Sequence, residues 1–139
     1  MVAEEKERFV NPLRRVVDEF MSARDRGEIR PINLLFVCSK NQWRSPTGER
    51  IYRDHPLVNA RSAGTASSAR HQISLADIEW ADLIAVMERK HRQRLRADYP
   101  EALRGKEVIV LEIEDNYRAM DPDLVELIKA SIDPLLAEI

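Results

Sequence analysis

The residues of this 139-residue chain best suited to chemistry lie in the run VCSKNQWRSPTGE, Val37 to Glu49. Cys38, the only cysteine, stands where the apolar run INLLFV stops, and Arg44 follows six residues later. Ser45 and Pro46 then mark the start of a helix. A buried strand that ends on a thiol, a loop and a helix start form a place where free backbone N–H groups and the helix dipole converge. Such a place binds anions and favours the thiolate of Cys38. Arg44 adds a planar fork of donors matched to two oxygens of a phosphate. Nucleophile, anion cradle and guanidinium in one loop suit attack on a phosphate monoester. In a chain rich in arginine a Cys–Arg pair by itself is a weak signal; the flanking strand and helix in register sharpen it. The bland alternative for Cys38 is a small, inert core residue.

The elements that must position this loop follow from hydrophobic period and turn residues. NPLRRVVDEFMSARDRG reads as a helix capped by Asn11, with Pro12 in its first turn and Gly27 at its end. Phe9, Leu13, Val16, Val17, Phe20 and Met21 form its apolar stripe. INLLFV is a strand buried on both faces, PTGERIYRD a short helix, and VNARSA a second strand turning at Gly64. SLADIEWA is a brief helix capped by Ser74, LIAVM a third buried strand, RKHRQRLRADY a basic, solvated helix and EVIVLEI a fourth strand. DPDLVELIKASI opens on Asp121 as cap with Pro122 behind it. Alternating strands and helices predict an α/β fold, a four-stranded parallel sheet joined by right-handed crossovers and covered on both sides in three layers, α/β/α. In such a sheet ligands bind beyond the C-terminal strand ends, where Cys38 falls.

Composition narrows the function. Apolar residues make up 44% of the chain, charged residues 33%, and the net charge is −2, so neither nucleic acid nor a membrane is expected as partner. No apolar run reaches membrane-span length, and MVAEEKERF is charged where a signal peptide needs an apolar centre. A single cysteine forms no disulfide within the chain, which points to the cytoplasm. His55, His71 and His91 lack metal-ligand spacing, so no metal or other cofactor is expected.

The loop resembles the active-site loop of the low-molecular-weight protein tyrosine phosphatases: Cys, two residues, Asn, two residues, Arg-Ser-Pro, here Cys38, Asn41, Arg44, Ser45 and Pro46. RSAGT, Arg61 to Thr65, resembles the family's second strand and turn, and ADLIAVMERKHRQRL, Ala81 to Leu95, its third strand and following helix. The resemblance covers most of 32–136. It implies a phosphatase-like α/β domain over 31–139 with an N-terminal helical extension over 1–30. It also implies metal-free hydrolysis of a phosphorylated substrate, a phosphotyrosine protein, through a cysteinyl-phosphate, with inorganic phosphate as product and inhibitor. Ser39, Lys40, Asn41, Gln42, Trp43, Arg44 and Ser45 would then hold the phosphate, with Ser45 assisting the sulfur and Asn41 bracing the loop in a left-handed conformation.

The family draws its general acid from an Asp-Pro-Tyr motif after the fourth strand. EDNYRAMDPD offers Asp115, which keeps the tyrosine as Tyr117 but lacks the proline, and Asp121, which keeps Pro122 but lacks the tyrosine. Asp115 is preferred because Asp121 is better used as a helix cap.

Trp43 stands where many members carry a second cysteine. It either lines the pocket mouth or packs beneath the loop, and it closes the protective disulfide route. Tyr117 serves the substrate rim or covers the loop, with the rim favoured. The segment between Gly64 and Asp82 is shorter than in typical members, which bears on specificity because such loops shape the entrance. Its His71 is read as an exposed loop residue. Trp80 and Met87 are assigned to the core, and the basic run Arg89 to Arg96 to a solvated face. The stripe of the first helix packs on its own sheet or against a second copy, giving a homodimer. Two alternatives stay open: a catalytically weak phosphate-binding module, and a phosphatase of a small-molecule or RNA phosphate.

Overall fold

A computed structural model describes residues 14–28 and 30–138, without the side chains of 14 and 15. The cap at Asn11, the proline at Pro12 and the stripe residues Phe9 and Leu13 lie outside the described residues. The elements run α1 (Arg14–Asp25), β1 (Ile32–Cys38), α2 (Arg44–Tyr52), β2 (Val58–Gly64), α3 (Leu75–Trp80), β3 (Leu83–Val86), α4 (Arg89–Asp98), β4 (Glu107–Val110) and α5 (Pro122–Ala137).

The strands form one parallel sheet in the order β2-β1-β3-β4. Because β1 is central and apolar on both sides, alternate residues feed two cores. Leu34, Phe36 and Cys38 join Val16 and Phe20 of α1, Tyr52 of α2 and Leu124, Ile128, Ile132 and Leu136 of α5. Leu35 and Val37 face the opposite core with Ile78 of α3 and Leu95 of α4. The fold is the expected three-layer α/β/α sandwich.

The buried stripe of α1 thus lies on the chain's own sheet, with Phe20 3% exposed and Arg30 stacked 4.8 Å over its ring. The helix stops at Asp25 and the turn after it closes on Gly27, whose φ of 80° is cheap only for glycine. Ser74 caps α3 in a reciprocal box with Asp77, and Asp121 caps α5 by accepting from the Asp123 N–H.

Two of the boundaries that differ from expectation shape the site. The helix after the loop begins at Arg44 rather than beyond it, so the guanidinium rides on the first turn of α2. The fourth strand stops at Val110 instead of reaching Ile113, because Glu112 turns left-handed (φ 57°). Leu111 and Ile113 still donate to Val86 and Met87 at 2.9 and 2.8 Å, so the kinked segment passes over the end of β3. That path delivers the Ile113 carbonyl and Asp115 to the loop.

Candidate active site

Cys38 is the last residue of β1, and the chain from Ser39 to Trp43 wraps from that strand end into α2. The loop is held from outside by its carbonyls: Thr65 donates to Cys38 O, Ala66 to Ser39 O and Arg70 to Lys40 O, at 2.9 to 3.0 Å. Among the described residues, the backbone N–H groups of Ser39 through Trp43 donate to no protein acceptor. A loop with its carbonyls tied back and its N–H groups free is a nest for an anion. Gly64 makes this packing possible, since a Cβ there would lie 2.6 Å from Ser39 O and 2.9 Å from Asn41 N.

A chain of polar side chains runs beneath the loop, and donor counting fixes its direction. Glu49 accepts the proton of Ser62 Oγ, so Ser62 must accept from Asn41 Nδ2, at 2.9 Å. The second amide proton of Asn41 goes to Ser45 Oγ, also 2.9 Å. Ser45 then has one proton of its own and two acceptors in reach, Ala63 O at 3.2 Å and Cys38 Sγ at 2.9 Å. It can turn that proton to the sulfur when the sulfur is anionic. Asn41 holds φ 53°, the left-handed conformation its side chain tolerates.

Arg44 is 2% exposed. Its Nη1 donates to Glu88 Oε1, in an ion pair, and to Ile113 O at 2.9 Å, and its Nε lies 3.6 Å from Asp115 Oδ1. Nη2 has no partner among the described residues and remains for a ligand oxygen. Burial pushes the Glu88 pKa up, but the hydrogen bond and charge of Arg44 outweigh it and hold the carboxyl below its ordinary value. Glu88 is therefore a fixed counter-charge to the guanidinium.

His91, 1% exposed, closes the other flank. Its Nδ1 accepts from the Glu88 N–H at 3.0 Å, so Nε2 carries the proton and donates to Ser39 Oγ at 2.9 Å. Burial first, and Arg44 second, lower its pKa to about 4. The ring is neutral at physiological pH.

The structure brings together Cys38, Ser39, Asn41, Arg44, Ser45 and Asp115. It does not bring Asp121, which caps α5, into the cluster. Asp115 is 56% exposed, at the open side of the guanidinium. Lys40 points away to Ser68. Trp43 is exposed, which excludes packing beneath the loop. Tyr117 is half-buried against the α5-side core, closer to a loop cover than a free-standing rim residue. His71 is exposed and pairs with Asp77 at 2.8 Å. Met87 is in the core as expected, whereas Trp80 is only partly covered, with Arg61 4.2 Å over its ring. Glu88 and His91 were missed, hidden in a segment read as solvated. The available signal was their place immediately after β3, at the same sheet end as Cys38.

Comparisons with known proteins agree with this geometry. No protein-family model matches the chain. It is 34% identical over 116 residues to the Escherichia coli K12 low molecular weight protein-tyrosine-phosphatase Wzb, covering 62% of this chain and 78% of that protein. Vibrio vulnificus Wzb in complex with benzylphosphonate superposes with a TM-score of 0.63 at 27% identity, over 78% of this chain and 99% of that one. Escherichia coli K30 Wzb in complex with phosphate gives 0.62 at 26%, over 77% and 97%. The YwlE arginine phosphatase of Geobacillus stearothermophilus, 21% identical, shares the fold with a TM-score of 0.61, over 78% and 95%. A parallel sheet with a thiol at the end of its central strand and a buried arginine behind it defines a cysteine-based phosphatase. The chain belongs to the low-molecular-weight protein-tyrosine-phosphatase family.

Proposed function

We propose that the protein hydrolyses phosphotyrosine on protein substrates through a cysteinyl-phosphate. The observation that carries this reading is the 2.9 Å contact of Cys38 Sγ with Ser45 Oγ, inside a loop of free N–H groups backed by Arg44. The scissile phosphate seats in the loop 38–44, its oxygens taken by the N–H groups of Ser39 through Arg44 and by the Arg44 guanidinium. Cys38 thiolate attacks phosphorus, the P–S bond forming as the ester P–O bond breaks. Asp115 gives its proton to the departing oxygen. Water then attacks phosphorus while Asp115 takes its proton. The P–S bond breaks and the Ser45 hydroxyl stabilises the returning thiolate.

Lys40, Gln42 and Trp43 contribute to phosphate binding chiefly through their backbone N–H groups. Exposed Trp43, beside Arg44 at the end of the loop, offers apolar surface to an aromatic ring. Inorganic phosphate fits the emptied loop and inhibits as product. The cytoplasm suits a nucleophile that must stay a reduced thiol. A homodimer through α1 gains no support from Val16 and Phe20, which are already covered by the chain's own core, whereas Met21 of the same stripe is exposed.

Steady-state hydrolysis of an aryl phosphate in the presence of a chelator tests the reading. The parent should turn over and Cys38→Ser should not. No turnover by a folded parent would favour a phosphate-binding module instead.

A further inference from the structure

Next to the phosphate loop, on the β2 side, lies an open cleft of about 500 Å³ whose lining includes Asn41, Gln42, Arg50, Arg53, Arg70 and His71. Asn41 and Gln42 belong to the loop itself, so cleft and loop share a wall. Arg50 and Arg53 come from the end of α2 and its C-cap, three residues apart and hence on one helical face. Arg70 comes from the short segment after β2 and is tied to the loop by its backbone N–H, which donates to Lys40 O at 3.0 Å.

All three arginines are exposed, and no carboxylate pairs with their side chains among the described residues. The single carboxylate in the lining, Glu49, is engaged by Ser62 Oγ, and His71 is engaged by Asp77. The cleft is thus a local cationic surface on a molecule whose net charge is −2. Overall charge attracts no acidic partner here; this one wall does.

We propose that the cleft binds an anionic group, a carboxylate or a second phosphate, carried by the substrate polypeptide close to the residue being dephosphorylated. Arg50, Arg53 and Arg70 hold that group while the scissile phosphate occupies the loop. The proposal rests on the phosphatase reading and adds to it a substrate class, polypeptides acidic around the phosphorylated residue. Arginine forks suit either anion.

The test compares kcat/KM at low ionic strength for three phosphotyrosyl peptides of one length. One is flanked by Asp and Glu, one by Asn and Gln, and one by a second phosphotyrosine. An aryl phosphate serves as the substrate without flanks. The parent is set against the triple variant Arg50→Gln, Arg53→Gln, Arg70→Gln. The parent should prefer one or both anionic peptides over the neutral one by about tenfold, mainly through KM, and added salt should erode the preference. Which anionic peptide wins identifies the group. The triple variant should treat the peptides alike and keep parental turnover of the aryl phosphate, which also certifies its folding. A parent with no preference, or a variant that retains it, would overturn the cleft's role. Failure of the parent on the aryl phosphate as well would overturn the phosphatase reading and this proposal with it.

Discussion

Cys38 and Ser45 stand at one end of a hydrogen-bond chain that diverges from the Asn41 amide, one proton going to Ser62, which donates to Glu49, and the other to Ser45. Its consequence is a hydroxyl proton available to the sulfur without any side chain having to flip. Asp115 and Asp121 separate at this scale by what each carboxylate touches, Arg44 in one case and a helix N-terminus in the other. Asp115→Asn should lower kcat about a hundredfold on a substrate with a poor leaving group and flatten one limb of the pH–rate profile. Asp121→Ala should leave kcat unchanged and reduce unfolding free energy in urea by about 1 kcal/mol, the usual value of a cap. Cys38, Asn41, Arg44 and Ser45 were legible because one loop carries them all. Glu88 was not, because its partner Arg44 lies 44 residues away in sequence and only the β1–β3 pairing brings them together.

Among the elements, β3 and α4 do more for the loop than a basic amphipathic pattern suggested. Their junction supplies Glu88 to Arg44 and His91 to Ser39. His91 is buried neutral with a pKa near 4, against an ordinary value of 6.5. Because that folded-state value is depressed, the unfolded chain binds a proton first as pH falls. Stability present above about pH 6.5 is therefore lost progressively down to about pH 4. Glu88, also depressed, loses its contribution only below the ordinary carboxylate value of 4.5, so the two windows barely overlap. Urea unfolding of the parent should weaken between about pH 7 and pH 5, and His91→Gln should remove that component. Equal pH dependence in both proteins would contradict the neutral, buried ring. The strand and helix spans were readable from period, but the left-handed turn at Glu112 was not: a glutamate in an apolar strand pattern carries no mark of a positive φ.

For the molecule as a whole, three layers leave the C-terminal sheet end free for the loop while α1, α2 and α5 close one face. The apolar stripe of α1 announced burial without saying against what; only the packing resolves it. Phe20→Ala should cost about 3–5 kcal/mol in unfolding free energy, the range for truncating a buried aromatic. A surface helix waiting for a second copy would lose far less and would show a concentration-dependent melting temperature. The single thiol has a further whole-molecule consequence, since no second cysteine exists to rescue an oxidised Cys38 as a disulfide.

On the proposed mechanism Cys38 forms a covalent bond to phosphorus. Asp115→Asn should accumulate that species on an aryl phosphate with a good leaving group, because the first step then needs no acid while the second still lacks its base. Acid quenching during turnover, followed by mass spectrometry, should find the phosphate on the peptide containing Cys38 and nowhere in Cys38→Ser. Parental turnover retained by Cys38→Ser, or a phosphorylated residue other than Cys38, would contradict the account.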